Sequence, residues 1–99
     1  MYAVFRETRY TPGAAVTETA AYREFHEAHA AQPGYRGTVV ADAGDGRLLT
    51  MTLWATAETM TAAREALGPV VARALDPQMT APAVLLGTGP VVVNDLTPQ

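Results

Sequence analysis

Arg47-Leu48-Leu49-Thr50-Met51-Thr52-Leu53-Trp54-Ala55 is the stretch that decides the fold. Successive side chains of a strand point to opposite faces. Leu48, Thr50, Thr52 and Trp54 therefore share one face, and Leu49, Met51 and Leu53 the other. A sheet with helices on one side and water on the other shows apolar and polar residues in alternation. Here the face away from Trp54 is purely aliphatic and has to be covered.

Before this strand, Ala43-Gly44-Asp45-Gly46 has the glycines that a hairpin loop needs. A strand over 35–42 is thus its antiparallel neighbour. Further upstream, 2–10 is rich in aromatic and β-branched residues and ends at Pro12-Gly13, which predicts a first strand. The pattern over 17–32 is helical, with Thr17 as N-cap and Pro33-Gly34 as the stop. At about 100° per residue, Glu18, Ala21, Tyr22, Phe25, His29 and Gln32 form its inner stripe. Arg23, Glu24 and Glu27 fall on the water side.

Downstream, 57–75 predicts a second helix with Thr56 as N-cap and a stripe of Met60, Ala63, Leu67, Val70, Val71 and Ala74. Gly68-Pro69 should kink or split it. A last strand spans 83–95, broken by Gly87, Gly89 and Pro90, so it belongs at an edge or a bulge. Its Val91-Val92-Val93 run poses the same two-faced problem as the third strand. The fold class is α+β, a ferredoxin-like βαββαβ unit with an antiparallel sheet. Two crossovers of one hand put both helices on one side of the sheet. The aliphatic side is then expected to bury itself against a second copy of the chain, as a homodimer.

The composition agrees with a single domain over 1–99. A hydrophobic share of 48% suffices for a core, although alanine and valine dominate it and bury little area each. The net charge of −3, with seven scattered arginines and no lysine, argues against nucleic acid as a partner. Without cysteine there is neither a disulfide framework nor thiolate chemistry, which fits a cytoplasmic location. The N-terminus meets Arg6 and Glu7 too soon for a signal peptide, and no apolar run approaches the roughly 20 residues of a membrane span.

With these elements in place, three segments carry a resemblance. Gln32-Pro33-Gly34-Tyr35-Arg36-Gly37 steps into the second strand, Leu53-Trp54 precedes the second helix, and Gly87-Thr88-Gly89-Pro90-Val91-Val92-Val93-Asn94 closes the chain. In that order they resemble the antibiotic biosynthesis monooxygenase-like domains of the dimeric α+β-barrel superfamily. The resemblance implies a homodimer whose four-stranded sheets face each other as a barrel. It also implies a ligand cavity in each subunit, between sheet and helices. Some members oxidise aromatic polyketides with no metal or flavin, and others degrade haem.

This chain departs from both groups. The polyketide oxidases have an asparagine four residues before the strand-three tryptophan and tend to have a tyrosine six after it. Thr50 and Met60 stand there instead. The haem degraders have an asparagine on the first strand and a histidine late in or after the second helix. Neither occurs over 2–10 or 57–78. Trp54 alone carries over, and no cofactor is expected.

Among single residues, His29 lies near the centre of the first helix's stripe. It is either a base or hydroxyl anchor for a ligand, or a core histidine satisfied by one partner. His26 forms an H-x-x-H pair with it, but no third ligand is evident and no metal is expected. Trp54 is a ring wall for a planar ligand or a plug at the end of the core. Tyr22, Phe25 and Tyr35 would line a pocket or pack at its rim. Arg6 shares the inner face of the first strand with Tyr2 and Val4, and either pairs with Glu18 or meets an anionic ligand. The Gly44-Asp45-Gly46 segment precedes no helix and is a turn, not a phosphate loop. The expected function is binding of a small aromatic ligand, with cofactor-independent oxidation or proton transfer on a phenolic or quinone-like metabolite as the catalytic form. The alternative is a non-catalytic or stress-associated dimer with a filled interior.

Overall fold

The structure is a computed structural model and describes residues 1–96. Its elements are β1 (Tyr2–Arg9), α1 (Ala20–Ala30), β2 (Tyr35–Asp42), β3 (Arg47–Trp54), α2 (Ala57–Val70) and β4 (Val84–Pro90). The strands make one antiparallel sheet in the order β2-β3-β1-β4, the ferredoxin-like arrangement. Both helices cover the Trp54 face. Val4 and Trp54 from the sheet cluster with Ala63 and Leu67 of α2, and Ala28 of α1 packs against them.

Several boundaries differ from those read in the sequence, each for a local reason. Thr17 does not cap α1. It lies in a short 3-10 turn, Val16–Glu18, and the cap is Thr19. The Thr19 hydroxyl donates to the Val16 carbonyl at 2.7 Å and accepts the Tyr22 N–H at 3.1 Å, tying the turn to the helix. Glu18 consequently stands outside the helix, exposed, and is no partner for Arg6. The helix closes at Ala30, because Pro33 disfavours helical geometry at Gln32 before it. The remainder of the inner stripe is at least half-buried, and Arg23, Glu24 and Glu27 face water as expected.

The second helix starts as read, on a capping box between Thr56 and Thr59. It passes through Gly68-Pro69 without breaking and then widens into a π-helical turn, Val71–Leu75. Pro69 lacks the N–H for the Glu65 carbonyl, yet the turn it crowds stays α-helical and the change of pitch comes after it.

The last strand ends at Pro90, not at 95. Pro90 is opposite Tyr2, where β1 begins, and among the described residues beyond it the Val91 N–H donates to the Met1 carbonyl at 2.9 Å. Val92 and Val93 leave the sheet and are 91% and 79% exposed. The proline is on an edge strand, and the pairing with β1 shifts between Phe5 and Arg6, so both devices expected of that segment occur. Away from the helices, Met51 pairs with Phe5 on one side and Val39 on the other, forming an apolar row across three strands. Phe5 and Val39 are 45% and 50% exposed.

The β2–β3 hairpin turns through Gly44, Asp45 and Gly46, all with positive φ. A side chain at Gly46 would collide with the Tyr10 carbonyl oxygen, whereas one at Gly44 would meet open space. Gly44→Ala should therefore cost about 1 kcal/mol, the backbone strain alone, and Gly46→Ala about 3 kcal/mol or more. Urea denaturation of the two variants checks the difference, and equal losses would contradict the close approach.

Candidate functional site

Alternation along β1 and β3 turns Val4, Arg6, Thr8, Thr50, Thr52 and Trp54 toward the helices. The helices do not fill the space above them. A cavity of about 310 Å³ lies between sheet and helices. Its wall includes His29, Trp54, Tyr22, His26, Phe25 and Arg6, so the residues singled out in the sequence converge from two strands and one helix. Tyr35 is behind the wall, packed edge-on to Trp54 and His29.

His29 is 6% exposed, and its ring is held by three others. Phe25 stacks on it at 5.1 Å, while Tyr35 and Trp54 meet it edge-on at 5.1 and 5.4 Å. Its Nδ1 is buried with no hydrogen-bond partner among the described residues. Buried polar atoms are normally hydrogen-bonded, and no described group satisfies this one. Burial, aided by the charges of His26 and Arg6, pushes its pKa down to about 4. At neutral pH the imidazole is uncharged.

Hydroxyls continue the wall. The Tyr35 hydroxyl donates to Thr38 Oγ1 at 2.9 Å, and Thr38 Oγ1 is 3.4 Å from Thr52 Oγ1. Thr52 is buried between strands. Burial also raises the phenol pKa of Tyr22 and of Tyr10, which lines the cavity from the end of β1. An outer groove of about 710 Å³ shares Tyr10, Tyr22, His26, Thr38 and Leu48 with the cavity, so the two spaces adjoin. His26 stands at this junction, exposed. Among the described residues, no cluster of His, Cys, Asp or Glu has the makings of a metal site.

Arg64 of α2 also reaches the cavity and was not singled out in the sequence. The signal was there: it lies one turn after Met60 and three residues before Leu67, both on the helix stripe. Arg6 is half-buried opposite Thr50. Burial and the charge of Arg64 lower the pKa of its guanidinium.

No family model and no curated protein matches the chain. Solved structures do. The NE2512 protein of unknown function from Nitrosomonas europaea has a TM-score of 0.75 at 11% identity, over 99% of this chain and 95% of its own. A structure named antibiotic biosynthesis monooxygenase has a TM-score of 0.72 at 15% identity, over 94% of this chain and all of its own. SnoaB, a cofactor-independent oxygenase from Streptomyces nogalater, has a TM-score of 0.67 at 18% identity, over 94% of this chain and 93% of its own. The chain thus has the fold of the antibiotic biosynthesis monooxygenases, the group its sequence resembles.

The environment of His29 has a pH signature. Its ordinary pKa is near 6.5 and its folded value about 4, so the unfolded chain takes up the proton first as pH falls. Stability is full above about pH 6.5 and drops toward pH 4, by on the order of 3 kcal/mol in total. Urea denaturation at pH 7 and pH 5 should show much of this loss in the parent and little in His29→Gln. Equal slopes in both proteins would contradict it.

Proposed function

We propose that the chain works as one small-molecule-binding domain whose cavity takes a planar aromatic ligand. The observation that carries this reading is the convergence of His29, Trp54, Tyr22 and Phe25 on one partly enclosed space of about 310 Å³. That volume lies at the lower end of ligand-sized pockets, so the ligand is compact. A filled interior, as in a purely structural dimer, is the less favoured reading on the same ground. Trp54, Phe25 and Tyr22 serve as ring walls, and His29 as the polar anchor inside an otherwise aromatic end of the site. Arg6 and His26 complete its polar side.

If the site is catalytic, His29 is the group to move a proton. A phenolate is the electron-rich form of a phenol, able to reduce dioxygen without metal or flavin. An ordinary phenol, with a pKa near 10 like that of tyrosine, is a poor match for an imidazole held at about 4. The mismatch amounts to roughly 8 kcal/mol. The chemistry therefore favours a more acidic hydroxyl, as in quinone-like enols, or requires that the anion be stabilised by its surroundings. Thr50 and Met60, where the polyketide oxidases have asparagine and tyrosine, favour binding without oxidation as the second reading.

The domain is proposed to act as a homodimer through the Phe5–Met51–Val39 face. An obligate interface would bury about 2,000 Å² or more in total. Sedimentation equilibrium at low micromolar concentration should give the mass of a dimer, and Met51→Asp should abolish it, since an unpaired buried charge is costly. A folded, monodisperse parent monomer would end this part of the proposal.

Thermal melts with a panel of phenols and quinones test the pocket itself. The parent should gain melting temperature with at least one aromatic ligand, and His29→Ala should lose that gain while staying folded. If His29 only packs the core, the substitution would cost about 1–3 kcal/mol and the parent would show no ligand-induced shift at all.

A further inference from the structure

The charges on the cavity wall are one-sided. Two arginines, Arg6 and Arg64, and two histidines line it, and no aspartate or glutamate does. This occurs in a chain with ten carboxylates against seven arginines, net −3. On the opposite face of the sheet two arginines are matched. Arg9 and Arg47 both donate to Glu7, at 3.1 and 2.8 Å. The third ion pair among the described residues joins Arg73 to Glu24 on the helical surface. Arg6 and Arg64 take part in none of these pairs.

Such an arrangement is unfavourable as it stands. Arg6 is half-buried beneath the helices, and burial of a cation without a counter-ion costs stability. Arg64 adds repulsion to that cost, since its charge acts on Arg6. A neutral or apolar residue at position 6 would avoid both. An anion between the two guanidiniums would offset both, because each offers a planar fork of donors to a carboxylate or to a delocalised oxyanion. The other end of the cavity is aromatic, built from Trp54, Phe25 and the uncharged His29.

Resting on the aromatic-pocket reading above, we propose that the cavity selects an aromatic anion, a compact planar ring system with one dissociated acidic group held between Arg6 and Arg64. The acidic group is a carboxylate or the oxyanion of an acidic enol or hydroxyquinone. Either would leave the ring against Trp54 and Phe25. The arginines supply the anion stabilisation that His29 alone does not.

Three probes of similar size separate the cases at pH 7: naphthoate and hydroxynaphthoquinone, both anions, and naphthol, which is neutral. By calorimetry the anions should bind at least about tenfold tighter than naphthol, the worth of one charge-assisted hydrogen bond. Arg6→Gln and Arg64→Gln should each bring the anion affinity down toward that of naphthol. Arg64 is exposed, so its variant keeps the test sound if position 6 proves sensitive. Arg6→Gln should melt at or above the parent temperature, because no partner is lost; a drop of several degrees would mean that Arg6 props the fold, and would overturn its role as a ligand group. Equal binding of naphthol and the anions would overturn the anion selectivity and leave the aromatic pocket standing. Anion binding that survives both substitutions would remove the arginines from the site. If none of the probes binds, the aromatic-pocket reading fails, and this inference with it. A preference for one anion over the other assigns the acidic group.

Discussion

Trp54 is the contact on which the rest of the structure depends. It ends β3, is 3% exposed, and touches every layer of the molecule. In the sheet it clusters with Val4; from α2 it receives Ala63 and Leu67; on the α1 side it meets the ring of His29. Tyr35 at the start of β2 closes on it edge-on at 5.7 Å. Rings meeting edge-on prefer defined geometries. Seating this one side chain therefore fixes where both helices stand above the sheet. It also fixes where they fall short of it, because a large ring at one end props the helices and leaves space over Thr50, Arg6 and Thr8. The cavity follows from packing around Trp54.

Polarity is then divided by the sheet. Toward the helices β1 and β3 present three threonines and an arginine among Val4, Leu48 and Trp54, an unusually polar lining for a core. Away from them they present an apolar row centred on Met51, with Glu7 neutralising two arginines at its margin. Hydroxyls and an arginine set into this lining are a poor use of a small domain's interior, where apolar burial is the main source of stability. Natural proteins give up stability in this way where a ligand is bound. The two faces thus differ in kind: one exposes apolar area, on which the proposed association rests, and the other carries the arginine and hydroxyls, on which the proposed binding rests.

Much of the fold was legible because period-two and period-3.6 patterns leave strong traces. The β2–β3 hairpin followed from Gly44-Asp45-Gly46, and the aliphatic face of β3 from simple alternation. What escaped depended on partners distant in sequence. Nothing in Val91-Val92-Val93 says that β1 starts at Tyr2 and so has nothing left to pair with. That Thr19 and not Thr17 caps α1 depends on Val16, which is buried and whose carbonyl accepts from the Thr19 hydroxyl. In the site, the aromatic and histidine members were visible as one helical stripe plus one strand end. Arg64 lies within the spacing of the second helix's stripe, but a charged residue on a helix ordinarily faces water, and its place on the cavity wall shows only in the structure. The depressed pKa of His29 was not legible, because it is set by how the rings of Phe25, Tyr35 and Trp54 close around it.

On the proposed function an aromatic ligand enters the space beside Trp54. The chain has a single tryptophan, so its indole N–H gives one resolved nuclear magnetic resonance signal. Titrating a compact aromatic acid into the labelled protein should move that signal progressively to a saturated end point. The backbone signals of Phe25, His29 and Arg6 should move at the same ligand concentration. An indole signal that stays in place while the ligand is raised to millimolar concentration, or one that shifts only in step with exposed Val92 and Val93, would contradict a ligand in that space.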